Sequence, residues 1–168
     1  MAKTGTYTLI QSQTLGTANA TVTFSSIPST YTDLVLVSNP SGSSAGGDLW
    51  LRWGTGSVLS VGYTGTGLCG TGTAATPSRG IGGNRFYLDI SGGVATTPSM
   101  FISYFMDYAN TTTYKSALVR RSDVSGSEVG IYVGMLNIST AIDTIAVMCS
   151  STFSIGSKFD LYGIEAYK

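Results

Sequence analysis

Nine carboxylates, two thiols and no histidine bound the chemistry open to this chain. Without an imidazole there is no Ser-His-Asp or Cys-His nucleophile, no histidine-containing zinc site and no imidazole pH switch. Cys69 and Cys149 are too few for a tetrahedral thiolate centre. They leave one disulfide or two free thiols, and free thiols are favoured because no secretory signal points to an oxidising compartment. Gly42-Ser43-Ser44-Ala45-Gly46 has the spacing of a nucleophile elbow, but Ser44 has no base to activate it. Gly65-Thr66-Gly67-Leu68-Cys69-Gly70 fits G-x-G-x-x-G, a pattern that holds a pyrophosphate only when it opens a helix. The next residues, Thr71-Gly72-Thr73-Ala74-Ala75-Thr76-Pro77, make a poor helix. Asp33, Asp48, Asp89, Asp107, Asp123, Glu128, Asp143, Asp160 and Glu165 are spread over strands and turns. A glycosidase needs two of them facing one another across a sugar; spacing alone does not show whether any two converge, and they read as strand-end or turn residues. The expectation is a protein that is not an enzyme and holds no cofactor or metal.

Candidate binding residues are then those that bury area or grip charge. Trp50 and Arg52 alternate against Leu49, Leu51 and Trp53, so they share the opposite face of one strand. Trp50 reads as core, as a contact between subunits or as a sugar-stacking platform. Tyr63 is read as a loop tyrosine that can stack on a ring, and Arg79 and Arg85 as guanidiniums that can clamp carboxylates. Tyr104 sits in Met100-Phe101-Ile102-Ser103-Tyr104-Phe105-Met106, a run apolar on both faces and therefore expected to be covered on its outer side. Gly130, Tyr132 and Gly134 alternate with Val129, Ile131 and Val133 and read as one flat face for the close approach of another backbone. A formal charge of zero offers no field for nucleic acid or anionic lipid, and no run approaches the roughly 18 apolar residues of a membrane span.

The elements that must position these residues are strands. Ser and Thr number 23 each and Gly 22, whereas charged residues make only 11% of the 168 positions, a balance that argues against a helical protein. Alternating segments recur near residues 7–11, 22–24, 34–37, 48–53, 85–91, 100–109, 113–121, 128–138, 142–149 and 158–167. About 8–10 short antiparallel strands with turn signals between them make an all-β sandwich of one domain, residues 1–168. Residues 62–84 carry eight glycines in 23 positions and read as a long Gly-rich loop.

Several stretches carry a resemblance in combination. They are Tyr7-Thr8-Leu9-Ile10 with Gln13-Thr14-Leu15, the run Val22–Leu34 (VTFSSIPSTYTDL), Leu51-Arg52-Trp53, the run Ile102–Thr111 (ISYFMDYANT) with Lys115, and Phe159-Asp160-Leu161-Tyr162-Gly163-Ile164. In this order the chain resembles small structural proteins of tailed bacteriophages, found as head decoration (cement) proteins and as tail-fibre modules. It departs from their pattern at Trp53-Gly54, where an aromatic followed by Asn-Gly is expected. The resemblance implies a jelly-roll-like sandwich in a virion, a homotrimer bound to the major capsid protein at the head surface, with no catalytic residues to carry over. The loop 62–84 with Arg79 and Arg85 is then the expected foot on the shell. The alternative is a tail-fibre or receptor-binding module that takes a host glycan on Trp50 or the loop tyrosines.

Overall fold

The computed structural model describes residues 6–44, 47–88, 94–123 and 128–165, with backbone alone at 80–82. Twelve strands run β1 (Tyr7–Thr14), β2 (Asn19–Phe24), β3 (Asp33–Asn39), β4 (Leu49–Gly54), β5 (Tyr63–Gly70), β6 (Ala75–Gly83), β7 (Phe86–Tyr87), β8 (Met100–Met106), β9 (Lys115–Asp123), β10 (Glu128–Leu136), β11 (Thr144–Phe153) and β12 (Lys158–Ile164). No helix occurs among the described residues. All pairings are antiparallel, in an eight-stranded sheet ordered β1-β12-β3-β8-β9-β10-β5-β6 and a four-stranded sheet ordered β2-β11-β4-β7.

The order has a simple origin. Without β5, β6, β9 and β10, the sheets are β1-β12-β3-β8 and β2-β11-β4-β7, the interleaved order of an eight-stranded jelly roll. The chain passes from one sheet to the other at β1–β2, β2–β3, β3–β4, β4–β5, β6–β7, β7–β8, β10–β11 and β11–β12. Two hairpins, β5–β6 and β9–β10, then widen the larger sheet beyond β8. Leu34 and Leu36 of β3, Phe101 and Phe105 of β8, and Phe159 and Leu161 of β12 face Val22, Phe24, Leu51, Trp53, Ile145 and Val147 of the smaller sheet in one core. The Gln11 and Gln13 amides of β1 donate to the Ser25 and Thr23 carbonyls, closing one edge of the sandwich.

The segment expected to be a loop at 62–84 is the β5–β6 hairpin. Gly65 occupies an inward position where a side chain would collide. A Cβ on Gly65 would lie 2.8 Å from the Phe86 ring, and one on Gly134 of the neighbouring β10 only 2.5 Å from it. Threonine and leucine fill the alternate outward positions and supply strand propensity. The hairpin turns at Thr71–Ala74, where the Thr71 N–H donates to the Ala74 carbonyl and Gly72 takes φ +87°, a conformation open to glycine at no steric cost. The face of Gly130, Tyr132 and Gly134 is therefore not a surface for another chain: it is closed by the Phe86 ring at Gly134 and by the Tyr132 ring itself at Gly130. The strand expected at 85–91 is short, Phe86–Tyr87, and its positions 89–91 lie outside the described residues, as do 166–167 of the last one.

The run carrying the phage-protein resemblance builds structure. The Tyr108 hydroxyl is buried and donates to the Pro28 carbonyl, joining Ile102–Thr111 to the middle of the Val22–Leu34 run. Burial of Lys115 lowers the proton affinity of its ammonium, which the Asp107, Asn110 and Thr113 carbonyls accept from. Asn110 Oδ1 in turn accepts from the Thr112 and Thr113 N–H groups at 2.6 and 3.0 Å. These residues lock the β8–β9 turn.

Candidate functional site

Cross-strand register sets up the most distinctive surface of the molecule. Pairing places Tyr162, Val35, Tyr104, Leu118 and Val133 in one lateral row on the outer face of the larger sheet, flanked by Leu9 and by Thr66 and Arg79. A second row runs Val37, Ile102, Arg120, Ile131 and Leu68. Residues opposite one another in a ladder share a face, so these rows form one continuous apolar sheet. Leu68, Met100, Met106, Val129, Ile131, Val133 and Met135 are each between 40% and 64% exposed on it. Arg120 is the one charge in its middle, and its guanidinium is already engaged, 5.2 Å over the Tyr104 ring with Nη2 donating to the Tyr104 hydroxyl at 2.5 Å. Beside it an open groove of about 410 Å³ is lined by Leu68, Gly70, Ala75, Arg120, Val129 and Ile131.

The outer face of the smaller sheet has a different character. Trp50 is only 7% exposed, because Arg85 lies 4.3 Å over its ring and 5.3 Å from the Tyr87 ring. The Nε groups of Arg52 and Arg85 both donate to Asn84, to its carbonyl at 2.9 Å and its Oδ1 at 2.8 Å. Neither guanidinium has a carboxylate within ion-pair reach among the described residues. Trp50 is thus a covered ring in a cationic patch, with no open face for a sugar. Removing the cover in Arg85→Ala is expected to expose the indole, raising the rate of acrylamide quenching of tryptophan emission several-fold, at a stability cost of about 0.5–1 kcal/mol. Unchanged quenching would show that other groups shield the ring.

The sequence-predicted residues therefore fall into three places. Trp50, Arg52 and Arg85 meet on the smaller sheet. Arg79 and Tyr104 share the outer face of the larger one, Arg79 at the end of a row and Tyr104 in its middle. Tyr63 is a core residue and has no part in a binding surface: its hydroxyl accepts from the Trp53 N–H at 2.8 Å, and burial pushes it up to about 12 against the lowering by that backbone bond and by Arg52.

A polar cluster that sequence reasoning missed lies on the inner face of the widened sheet. Arg121 is fully buried, with Nη2 2.9 Å from Asp123 Oδ2 and 3.6 Å from Glu128 Oε2. Cys69 donates from Sγ to Glu128 Oε2 at 3.5 Å. The Tyr132 hydroxyl is pushed up to about 12 by burial, which outweighs the opposing Arg121 guanidinium. The signal was available in alternation: Arg121 and Asp123 share the inward parity of Ala117 and Val119. Two carboxylates do converge here, but a guanidinium holds both beneath the sheet surface, the arrangement of a structural ion pair rather than of an acid and a base flanking a substrate. Cys69 and Cys149 are both buried free thiols. Among the described residues no three potential ligands gather around a metal position. Of the Gly42–Gly46 elbow pattern, positions 45–46 lie outside the described residues.

No family model, no curated protein and no solved structure matches this chain.

Proposed function

We propose that this protein is a non-enzymatic structural component of a bacteriophage virion, a decoration protein that binds the major capsid protein and stabilises the head shell as a homo-oligomer, with three chains the arrangement implied by the resemblance. The observation that carries this reading is the apolar outer face of the larger sheet, which calls for protein cover on a chain whose reactive groups serve its own fold. A decoration protein needs a surface for its own kind and a surface for the lattice. The cationic patch of Arg52 and Arg85 supports the second, since each guanidinium retains donors for a shell carboxylate. Individually weak contacts of this kind become tight binding when several copies held together engage neighbouring shell subunits at once.

Mixing purified protein with shells that lack it tests the reading, with co-sedimentation as the readout and the heat resistance of the particles as the consequence. Saturable occupancy at lattice positions and a raised disruption temperature are expected, and the Arg52→Ala, Arg85→Ala double variant should weaken occupancy about tenfold or more. Location at the tail tip with glycan binding that depends on Trp50 would put the receptor-binding alternative in its place. Turnover of any glycan would refute the non-enzymatic reading.

A further inference from the structure

We infer that the outer face of β8, β9, β10 and β5 is covered by a second copy of this chain. The inference rests on the assembly reading of that face and names its occupant. Size is the first argument. These four strands at about 4.8 Å each, with apolar residues extending about 23 Å along them, give a footprint of roughly 440 Å², and the row continues through Tyr162 to the exposed Leu9 at the far edge of the sheet. That is at the upper end of the few hundred square ångströms that monomers leave open, the size at which a patch marks an interaction site.

Charge and relief are the second. The middle of the face holds one charged side chain, Arg120, already stacked on Tyr104, so it gives a charged shell surface little to recognise. The face of a like copy carries the same single charge, engaged in the same way. Across the strands, large and small residues alternate: Met106 and Met135 flank Ser116, and Met100 and Val129 flank Ser122. Each ridge of methionine and valine therefore has a hollow of serine beside it, and a second copy presents ridges and hollows of the same size. Methionine, unbranched and flexible, adapts readily to such a contact. The four strands added to the jelly roll supply much of this surface, through Leu68, Leu118, Val129, Ile131, Val133 and Met135.

Light scattering on the chromatographed protein at micromolar concentration tests the inference. The wild type should have a mass that is a multiple of 17.5 kDa. Ile131→Lys should weaken association about 30-fold or more and shift the mass to a single chain, because an ammonium would be buried without a counter-charge. Ile131 is half-exposed in the isolated chain, so the variant should fold with an unchanged circular dichroism spectrum and melting temperature. Thr23→Lys, an exposed position on the smaller sheet, should leave the mass as it is. A wild type of single-chain mass, or an Ile131→Lys variant that stays assembled, overturns the inference. Adding shells separates it from the decoration reading. Wild type that assembles through this face but never binds shells leaves the inference standing and removes decoration. Single-chain wild type whose shell capture is lost in Ile131→Lys gives the face to the shell and overturns the inference.

Discussion

Arg121→Met should destabilise the protein by about 3–5 kcal/mol near neutral pH, the cost of removing one member of a buried ion pair and leaving its partners in place. The Arg121 side chain is wholly out of solvent, and Asp123 beside it nearly so. Methionine restores most of the volume, so the loss is electrostatic rather than a cavity. Urea melts near neutral pH measure it. A loss under about 1 kcal/mol would mean that the pair contributes little to the fold.

The same pair illustrates what the sequence revealed and what it hid. Alternation alone placed nearly every jelly-roll strand, because one face of each must be apolar and a shift of one residue would turn the pattern to solvent. Met100–Met106, apolar on both faces, was legible as a strand with an outer side to cover, and its Met100, Ile102, Tyr104 and Met106 do form part of the exposed apolar face. The β5–β6 hairpin was not legible. Glycine lowers strand propensity, and what makes it suitable at Gly65 is the Phe86 ring, 21 residues away in sequence and close only in the fold. The same contact reversed the reading of Gly134: bare backbone on one face says that something approaches closely, but not whether it is another chain or the chain's own aromatic. Tyr63 was misplaced with the hairpin, since a tyrosine assigned to a loop has no core to enter. Arg121, Asp123 and Glu128 were hidden differently. Charged residues are presumed solvated, and only the register of β9 and β10 brings Arg121 opposite Gly130 and Asp123 opposite Glu128. Trp50 and Arg52 were correctly put on one face, but the Arg85 that covers Trp50 arrives from β7's approach, beyond the reach of local periodicity.

Trp53→Ala should cost about 3–5 kcal/mol, a large share of the roughly 5–15 kcal/mol that holds a typical domain folded. Trp53 is completely buried and meets three rings edge to face: Tyr63 at 4.9 Å, Phe105 at 5.4 Å and Phe86 at 5.9 Å. Its Nε1 has no hydrogen-bond partner among the described residues, so its contribution is packing. Those three rings belong to different parts of the fold. Phe105 lies in the jelly roll, Phe86 on the smaller sheet, and Tyr63 on the hairpin that widens the larger one. The indole is therefore the joint between the sandwich and its extension, and Phe86, which it holds, is the ring seated over Gly65 and Gly134. Loss of the joint should loosen β5 and β6 before the jelly roll itself melts. The consequence reaches the far side of the sheet, since Leu68, Ile131 and Val133 keep their common plane only while β5 stays paired to β10. Trp53→Ala is thus expected to lower the melting temperature, open the Thr71–Pro77 turn to limited proteolysis and weaken self-association, although the substituted side chain points away from the apolar face. Trp53→Phe, which keeps a ring in place, should lose less than half as much. If Trp53→Ala stays assembled and protease-resistant with a loss below about 2 kcal/mol, the extension is held by its ladder hydrogen bonds alone, and the aromatic joint is not what keeps the outer face flat.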